Sequence, residues 1–138
     1  MNVTILKKIS TSIKEENQKI SFIVPCKNEE RNIPLFKNHI ESLNGKYEFL
    51  FGDDMSTDQT LVEINKIKSE LKDIEISSYT GPGICKSENV YKGIENSRGD
   101  IVVIYDADLT VSFNDIEFAI KILVNSNADF INCSRMIY

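Results

Sequence analysis

The chain of 138 residues fits one domain with a buried core, and its 41% apolar and 27% charged content exclude wholesale disorder. A net charge of -5 argues against a nucleic-acid partner, because phosphate contacts need a concentrated basic surface. The three cysteines are far apart, which disfavours a disulfide framework or zinc site and favours a reducing compartment such as the cytoplasm.

The first 19 residues differ in pattern from the rest of the chain. Ile5, Leu6, Ile9 and Ile13 have a loosely helical spacing, which predicts a short helix in an N-terminal extension. A single domain is predicted over residues 20–138. No apolar run reaches the about 18 residues that a membrane-spanning helix needs.

Strand and helix patterns alternate from residue 20 onward. Strands are predicted over residues 20–24, 47–51, 74–78, 101–105 and 129–133, and helices over roughly 30–44, 58–71, 86–97 and 113–126. This alternation predicts an α/β fold with a mostly parallel central sheet. Ligands of such sheets bind beyond the carboxyl ends of the strands.

The most apolar of these strands, residues 101–105, is followed by Asp106 and Asp108. If the extended geometry continues past the strand, side chains two residues apart point the same way, so both carboxylates would meet at one point. They would repel each other unless a cation or a proton lies between them. The alternative is two solvated loop acids.

Polar residues also follow the first two strands of this domain. Glu29 comes soon after the first strand, and Asp53 and Asp54 end the second. A dinucleotide-binding G-x-G-x-x-G turn and a P-loop are both absent from the sequence. Acidic oxygen ligands suit Mg²⁺ or Mn²⁺, and substrate phosphates usually complete the coordination of such an ion. A nucleotide diphosphate is therefore the expected ligand. Asp53 or Asp54 could instead cap the next helix, although Ser56 and Thr57 already offer caps.

Several short motifs with family-like spacing extend over residues 20–138. In chain order they are Ile23-Val24-Pro25-Cys26-Lys27-Asn28-Glu29-Glu30, Gly52-Asp53-Asp54-Met55-Ser56-Thr57-Asp58-Gln59-Thr60, Gly93 with Gly99-Asp100, Asp106-Ala107-Asp108, and Asn132-Cys133-Ser134-Arg135. Together they resemble the donor half of the family 2 inverting glycosyltransferases, and within that family the dolichyl- or polyprenyl-phosphate sugar synthases. The resemblance implies a three-layer α/β/α GT-A fold.

The resemblance also implies roles for individual residues. Asp106 and Asp108, around Ala107, form the D-x-D signature that holds the metal and the ribose or diphosphate. The residues implied to bind the base and ribose are Pro25, Lys27, Glu29, Asp54 and Asp53. Lys86 matches a G-x-G-K pattern of some members and would steady a phosphate, and Arg135 would face the diphosphate or the sugar. The alternatives are a solvated Lys86 and a strand-end Arg135 paired with a surface acid.

Four positions depart from the family pattern, and one of them is Gln59, where glycine is common. Lys27 replaces a usual aromatic residue, which removes a face for stacking on a base. Met55 replaces a glycine and is tolerable only if its turn avoids positive φ. Gly52 replaces a β-branched residue, which is expected to loosen the strand end.

The resemblance implies sugar transfer from a UDP- or GDP-linked donor to an acceptor such as a polyprenyl phosphate. A phosphate acceptor is already ionised near neutral pH and needs no general base. The enzyme would then work in the cytoplasm, with peripheral contact to the membrane face. Alternatives are a nucleotide-sugar-binding module whose acceptor half comes from a partner chain or a missing C-terminal segment, and a structural domain without chemistry.

Overall fold

The computed structural model describes residues 2–7, 18–41, 43 and 46–134. The helices are α1 (Ile33–Glu41), α2 (Thr60–Glu70), α3 (Lys86–Asn96) and α4 (Phe113–Val124). The strands are β1 (Asn2–Lys7), β2 (Ile20–Cys26), β3 (Tyr47–Asp53), β4 (Glu75–Thr80), β5 (Ile101–Ile104) and β6 (Phe130–Ser134). Every strand and helix predicted from residue 20 onward is present, with ends that differ by a few residues.

All six strands form one sheet in the order β4-β3-β2-β5-β1-β6. The neighbours β4, β3, β2 and β5 are parallel, whereas β1 is antiparallel to both β5 and β6. The carboxyl ends of β2, β3 and β5 therefore lie side by side at one edge. This arrangement confirms the predicted mostly parallel sheet.

The helix predicted at the N-terminus is wrong for Asn2–Lys7, which form β1. Val3 and Ile5 are buried whereas Thr4 and Leu6 are half-exposed, so burial alternates with the period of a strand. Long-range pairing with β5 and β6 outweighs the helical spacing that extends to Ile9 and Ile13. Those two residues lie outside the described part of the chain.

Helices cover both faces of the sheet, and the alternation along β2 shows which helix packs where. Phe22 packs against Phe113 of α4, and Tyr105 packs against Phe36 of α1, on one face. Ile23 points to the other face, where Gly93 of α3 approaches so closely that a Cβ would lie 2.5 Å from the isoleucine side chain. The result is the predicted three-layer architecture.

Among the described residues, no helix is long and apolar enough to span a bilayer.

Candidate functional site

A cleft of about 390 Å³ lies at the carboxyl ends of β2, β3 and β5. It collects most of the residues that the sequence singled out, from segments far apart in the chain. Its lining consists of Pro25, Cys26, Lys27, Glu29, Asp54, Ile84, Cys85, Lys86, Asn89, Asp106, Ala107 and Asp108. The parallel sheet brings these groups together because each lies at, or in the segment after, the carboxyl end of one of its parallel strands.

Asp106 and Asp108 share the cleft, but for a different reason from the one expected. The strand ends at Ile104, and the Leu109 N–H donates to the Asp106 carbonyl at 3.3 Å, so the two acids lie in a turn. Ala107 between them is buried, whereas both acids are half-exposed. The expected extended geometry is therefore wrong, and the turn brings both carboxylates to the cleft.

Tyr105 anchors this turn from below. Its N–H donates to the Ile23 carbonyl at 2.9 Å, and its hydroxyl donates to the Val111 carbonyl at 2.6 Å. Burial, together with the nearby Asp108 carboxylate, raises the pKa of Tyr105 to about 12. The hydroxyl therefore stays protonated at neutral pH and keeps donating, which fixes both ends of the acidic turn.

Lys86, the first residue of α3, forms an ion pair with Asp106. Its side chain is 60% exposed, so the ammonium lies at the open side of the cleft. Asp108 Oδ1 accepts hydrogen bonds from the N–H of Thr110 at 3.3 Å and from its hydroxyl at 3.1 Å. One acid is thus paired with an exposed cation and the other is held by its own loop.

Asp54 is the buried acid of the cleft. Its Oδ1 accepts a hydrogen bond from the Gly83 N–H at 2.7 Å, and Lys27 Nζ lies 3.8 Å from its Oδ2. Gly81 makes room for this contact, since a Cβ there would lie 2.5 Å from Asp54 Oδ1. The glycine-rich segment after β4 therefore packs directly on the acid that follows β3.

Asp53 does not line the cleft. It is buried, and its Oδ1 accepts from the Ser56 N–H at 3.4 Å. Of the expected cap groups only Asp58 contacts α2, since its Oδ1 accepts from the Thr60 N–H at 3.0 Å. Ser56 Oγ accepts from the Asn28 N–H at 2.9 Å, and the Thr57 N–H donates to Asn28 Oδ1 at 2.8 Å. Ser56 and Thr57 thus join the loops after β2 and β3 instead of capping the helix.

Two departures from the family pattern have clear structural outcomes. Met55 has a φ of 59°, so the condition that its turn avoids positive φ is not met. Gly52 lies in regular pairing within β3, so the strand end is not loosened. A Cβ at Gly52 would lie 2.5 Å from the side chains of both Asn89 and Tyr79, which explains the glycine by close packing.

The remaining predicted residues differ in how far the structure describes them. Pro25 pairs with Gly52 next to the last pair between β2 and β3, and it lines the cleft. Glu29 is half-buried there, and its Oε2 accepts from Asn32 Nδ2 at 2.6 Å while its N–H donates to Thr60 Oγ1 at 2.7 Å. Arg135 lies outside the described residues.

Four lining residues were not predicted: Cys26, Ile84, Cys85 and Asn89. Burial, with help from Glu29 and Asp53, raises the pKa of the Cys26 thiol. Hydrogen bonds from Ser87 lower the pKa of Cys85. An asparagine inside a helix is itself a signal, because its side chain competes with the helical backbone and needs another partner.

The donor set at this cleft fits a hard divalent cation. Among the described residues no group of three or more histidine, cysteine, aspartate or glutamate side chains is arranged to hold a metal. Asp106 and Asp108 do offer two carboxylates at an open cleft. Mg²⁺ is commonly held by one or two carboxylates, with waters and substrate phosphates completing the octahedron.

The sequence profile described as "Glycosyl transferase family 2" matches residues 21–138. The chain belongs to this family. Curated relatives include the 4,4'-diaponeurosporenoate glycosyltransferase of Staphylococcus haemolyticus, 28% identical over 83% of this chain and 30% of its own. Another is the beta-monoglucosyldiacylglycerol synthase of a Nostoc species, 36% identical over 67% of this chain and 21% of its own. The family 2 chain thus spans less than a third of the length of these relatives.

Solved structures support the GT-A fold of this family 2 chain. A mannosyltransferase from Pyrobaculum calidifontis, in complex with GDP-Man and Mn²⁺, superposes with a TM-score of 0.72 and 24% identity, over 80% of this chain and 34% of its own. Glucosyl-3-phosphoglycerate synthase from Mycobacterium tuberculosis, with UDP, has a TM-score of 0.60 and 22% identity, over 80% and 41%. Both neighbours are nucleotide-sugar transferases, and the described chain has their sheet-and-helix architecture.

Proposed function

We propose that this glycosyltransferase takes a sugar from a nucleotide diphosphate sugar and transfers it, with inversion, to a lipid-phosphate acceptor. One observation carries the proposal: acids that follow three neighbouring parallel strands, Glu29, Asp54 and Asp106, share one open cleft with the Lys86 ammonium. The carboxylates can bind a metal cation, and the Lys86 ammonium can bind a phosphate. Together these groups suit a metal-bound nucleotide diphosphate.

The donor would lie along the cleft from its buried end to its open end. Pro25, Lys27, Glu29 and Asp54 line the part assigned to the base and ribose. Lys86, whose ammonium lies at the open side, is assigned to the diphosphate. Arg135 keeps its predicted role toward the diphosphate or sugar. Asp53, which holds its own turn, would support this site from outside the cleft.

The metal assigned to Asp106 and Asp108 is Mg²⁺ or Mn²⁺. When bound, such an ion supplies Lewis-acid stabilisation of the charge on the departing diphosphate. Lys86 would exchange its contact with Asp106 for a phosphate oxygen when the donor arrives. Mn²⁺ is present in the complexes of both the Pyrobaculum and a Mycobacterium neighbour, which supports this choice.

A phosphate monoester is the acceptor that needs the fewest catalytic groups from this cleft. Its second pKa is about 6, so it is already a nucleophile at neutral pH and needs no general base. The name of one curated relative carries diacylglycerol, which supports an acceptor in or near a membrane. The chain would then act as a peripheral protein at the cytoplasmic membrane face.

A second candidate is a donor-binding module without independent catalysis. The observation that favours it is length, since the chain spans less than a third of its curated relatives. In that case the acceptor half would come from another segment or a partner chain. The two candidates share the donor cleft and differ only in turnover.

The test is sugar transfer from radiolabelled UDP- and GDP-sugars to a polyprenyl phosphate, run beside calorimetry with UDP and GDP in Mn²⁺. Asp108→Asn removes a carboxylate charge at the proposed metal, so transfer should fall by at least about 100-fold. Asp73→Asn, which changes an exposed acid before β4, at the opposite edge of the sheet, is the matched control. Nucleotide binding without transfer would favour the module, and unchanged transfer in Asp108→Asn would exclude the proposed metal site.

A further inference from the structure

A second opening, the α3 groove, meets the donor cleft at its charged end. It has a volume of about 620 Å³ and lies between α3 and the strands β5 and β1. Lys86 and Asp106 line both the cleft and the groove, so the two meet at this ion pair. The other residues that line the groove are Thr4, Ser87, Val90, Tyr91, Ile94 and Ile104.

The sheet is open at the α3 groove because α3 covers only part of its face. Ile23 of β2 faces Gly93 of α3. Ile104 pairs with Ile23, and Thr4 pairs with Ile104, so their side chains lie on this same face. Among the described helices, α3 packs on β2 and β3, whereas α4 packs on β1 and β6 from the opposite face. Thr4 and Ile104 therefore stay half-exposed beside α3.

The wall that α3 contributes to the groove is mostly apolar. Ser87, Val90, Tyr91 and Ile94 follow the spacing i, i+3, i+4 and i+7, which places them on one side of the helix. Val90 and Ile94 are half-buried, and Tyr91 is 60% exposed. The helix rises about 10 Å from Ser87 to Ile94. An apolar strip of this length, with Ile104 opposite, thus leads away from the ion pair.

The charge at one end of the groove indicates what kind of molecule fits it. Apolar surface rimmed by a few polar groups is typical of a ligand site. The exposed Lys86 ammonium at the cleft end can bind an anionic group. A polypeptide segment would match the apolar strip alone, whereas a lipid phosphate matches both the strip and the cation at its end.

We propose that the α3 groove holds the first isoprene units of a polyprenyl phosphate acceptor, with the acceptor phosphate at the end formed by Lys86 and Asp106. The inference rests on the proposed function and gives its acceptor a place on this chain. The phosphate lies at the mouth of the donor cleft, next to the sugar. The hydrocarbon tail stays outside the donor cleft, so donor and acceptor bind together without competing for space.

Ligands that differ in only the head or the tail test this groove. In calorimetry with Mg²⁺, monomeric farnesyl phosphate should bind at least about 100-fold more tightly than dimethylallyl phosphate, because its longer tail buries more apolar surface. Farnesol has the same tail without the phosphate, and it should bind more weakly than farnesyl phosphate because nothing faces Lys86. Equal binding of the two phosphates would overturn the inference, and this comparison needs no variant.

Tyr91→Ala removes an exposed ring from the wall of the groove. It should weaken the binding of farnesyl phosphate about tenfold and leave that of dimethylallyl phosphate unchanged. Phe118→Ala is the matched control, since Phe118 is a 65% exposed aromatic residue on α4, at the opposite face of the sheet. This control should change neither affinity. Equal effects of the two variants would overturn the inference.

Sugar transfer separates this inference from the proposed function. Transfer to farnesyl phosphate with the same KM in Tyr91→Ala and the unaltered protein would overturn the groove and leave the proposed function intact. Tail-dependent binding that Tyr91→Ala weakens, without any transfer, would support the groove and contradict independent catalysis by this chain. A dimer in solution that Tyr91→Ala dissociates would show that a second copy fills the groove, and it would overturn the inference.

Discussion

Non-glycine residues with positive φ occur in the loops at the cleft. Among the described residues they are Asn28, Met55 and Leu109, at 56°, 59° and 55°. Each follows a different strand, β2, β3 or β5, at the carboxyl edge of the sheet. The left-handed region costs an L-residue roughly 1–2 kcal/mol, so the loops that shape this cleft carry backbone strain.

Met55→Gly is expected to stabilise the protein. The exposed methionine side chain gives little packing. Glycine removes the steric cost of positive φ, which stabilises the folded state, and adds entropy to the unfolded chain, which offsets part of this gain. We expect the free energy of unfolding to rise by up to about 1 kcal/mol in urea denaturation.

Asn28→Gly is the control for this substitution. Its φ is similar, but asparagine tolerates the region, and its side chain accepts the Thr57 N–H, a bond that glycine would lose. Asn28→Gly should therefore destabilise. The Met55 side chain packs close to Gly83, where an added Cβ would lie 2.5 Å from Met55 Sδ. A destabilised Met55→Gly would mean that this packing outweighs the strain.

At the scale of elements, β1 joins the two ends of the described chain. It pairs antiparallel with β5 on one side and β6 on the other. Its inward side chains Val3 and Ile5 belong to the main hydrophobic core. The strand is therefore part of the sheet's packing and its hydrogen bonding.

Ile5→Ala should lower the free energy of unfolding by about 2–5 kcal/mol, because it leaves a cavity at a fully buried position. Leu6→Ala changes the next residue on the opposite, half-exposed face and should cost clearly less. Thermal or urea unfolding of both variants gives the comparison. Equal small losses would mean that β1 contributes little to the core.

How far the sequence predicts this structure depends on the range of the contacts involved. The domain from Ile20 onward follows from local periodicity, and the acids at the carboxyl edge follow from parallel topology. Local periodicity cannot show that β1 pairs with strands about a hundred residues away, and so it predicted a helix. Asn89 was missed for the same reason, since only the fold brings its side chain to the Gly52 carbonyl and to the cleft.

At the scale of the whole molecule, a buried acid holds together the end of the sheet at which the parallel strands begin. Glu48 is almost fully buried and accepts hydrogen bonds from Ser21 Oγ at 2.5 Å and the Arg98 N–H at 2.6 Å. Lys19 Nζ lies 3.1 Å from its other oxygen and also contacts Glu75. The network joins β2, β3, β4 and the loop before β5, at the end of the sheet away from the cleft.

Glu48 makes stability depend on pH in a definite direction. Burial opposes ionisation, but hydrogen bonds from Ser21, Arg98 and Lys19 outweigh it and hold the pKa below its ordinary value of 4.5. The unfolded state therefore binds a proton first, so this contribution is present above pH 4.5 and is lost as pH falls below it.

Glu48→Gln should lower stability at neutral pH by about 1–3 kcal/mol and reduce the loss of stability on acidification. Urea unfolding at about pH 7 and about pH 3.5 measures both effects. Glu95→Gln, at an exposed site on α3, controls for the loss of one negative charge. An unchanged pH dependence in Glu48→Gln would contradict this assignment.

The position of β1 also sets an order on folding. Residues 2–7 are the first described segment to leave the ribosome, yet β1 lies between two strands, and one of them, β6, ends at Ser134. Thr4 and Asn132, which are hydrogen-bonded, are separated by 128 positions. During synthesis β1 has no strand to pair with until β5 has been made, and its second edge stays open until β6 follows. Such non-local closure slows folding and leaves an apolar strand without its partners while the residues between them are made.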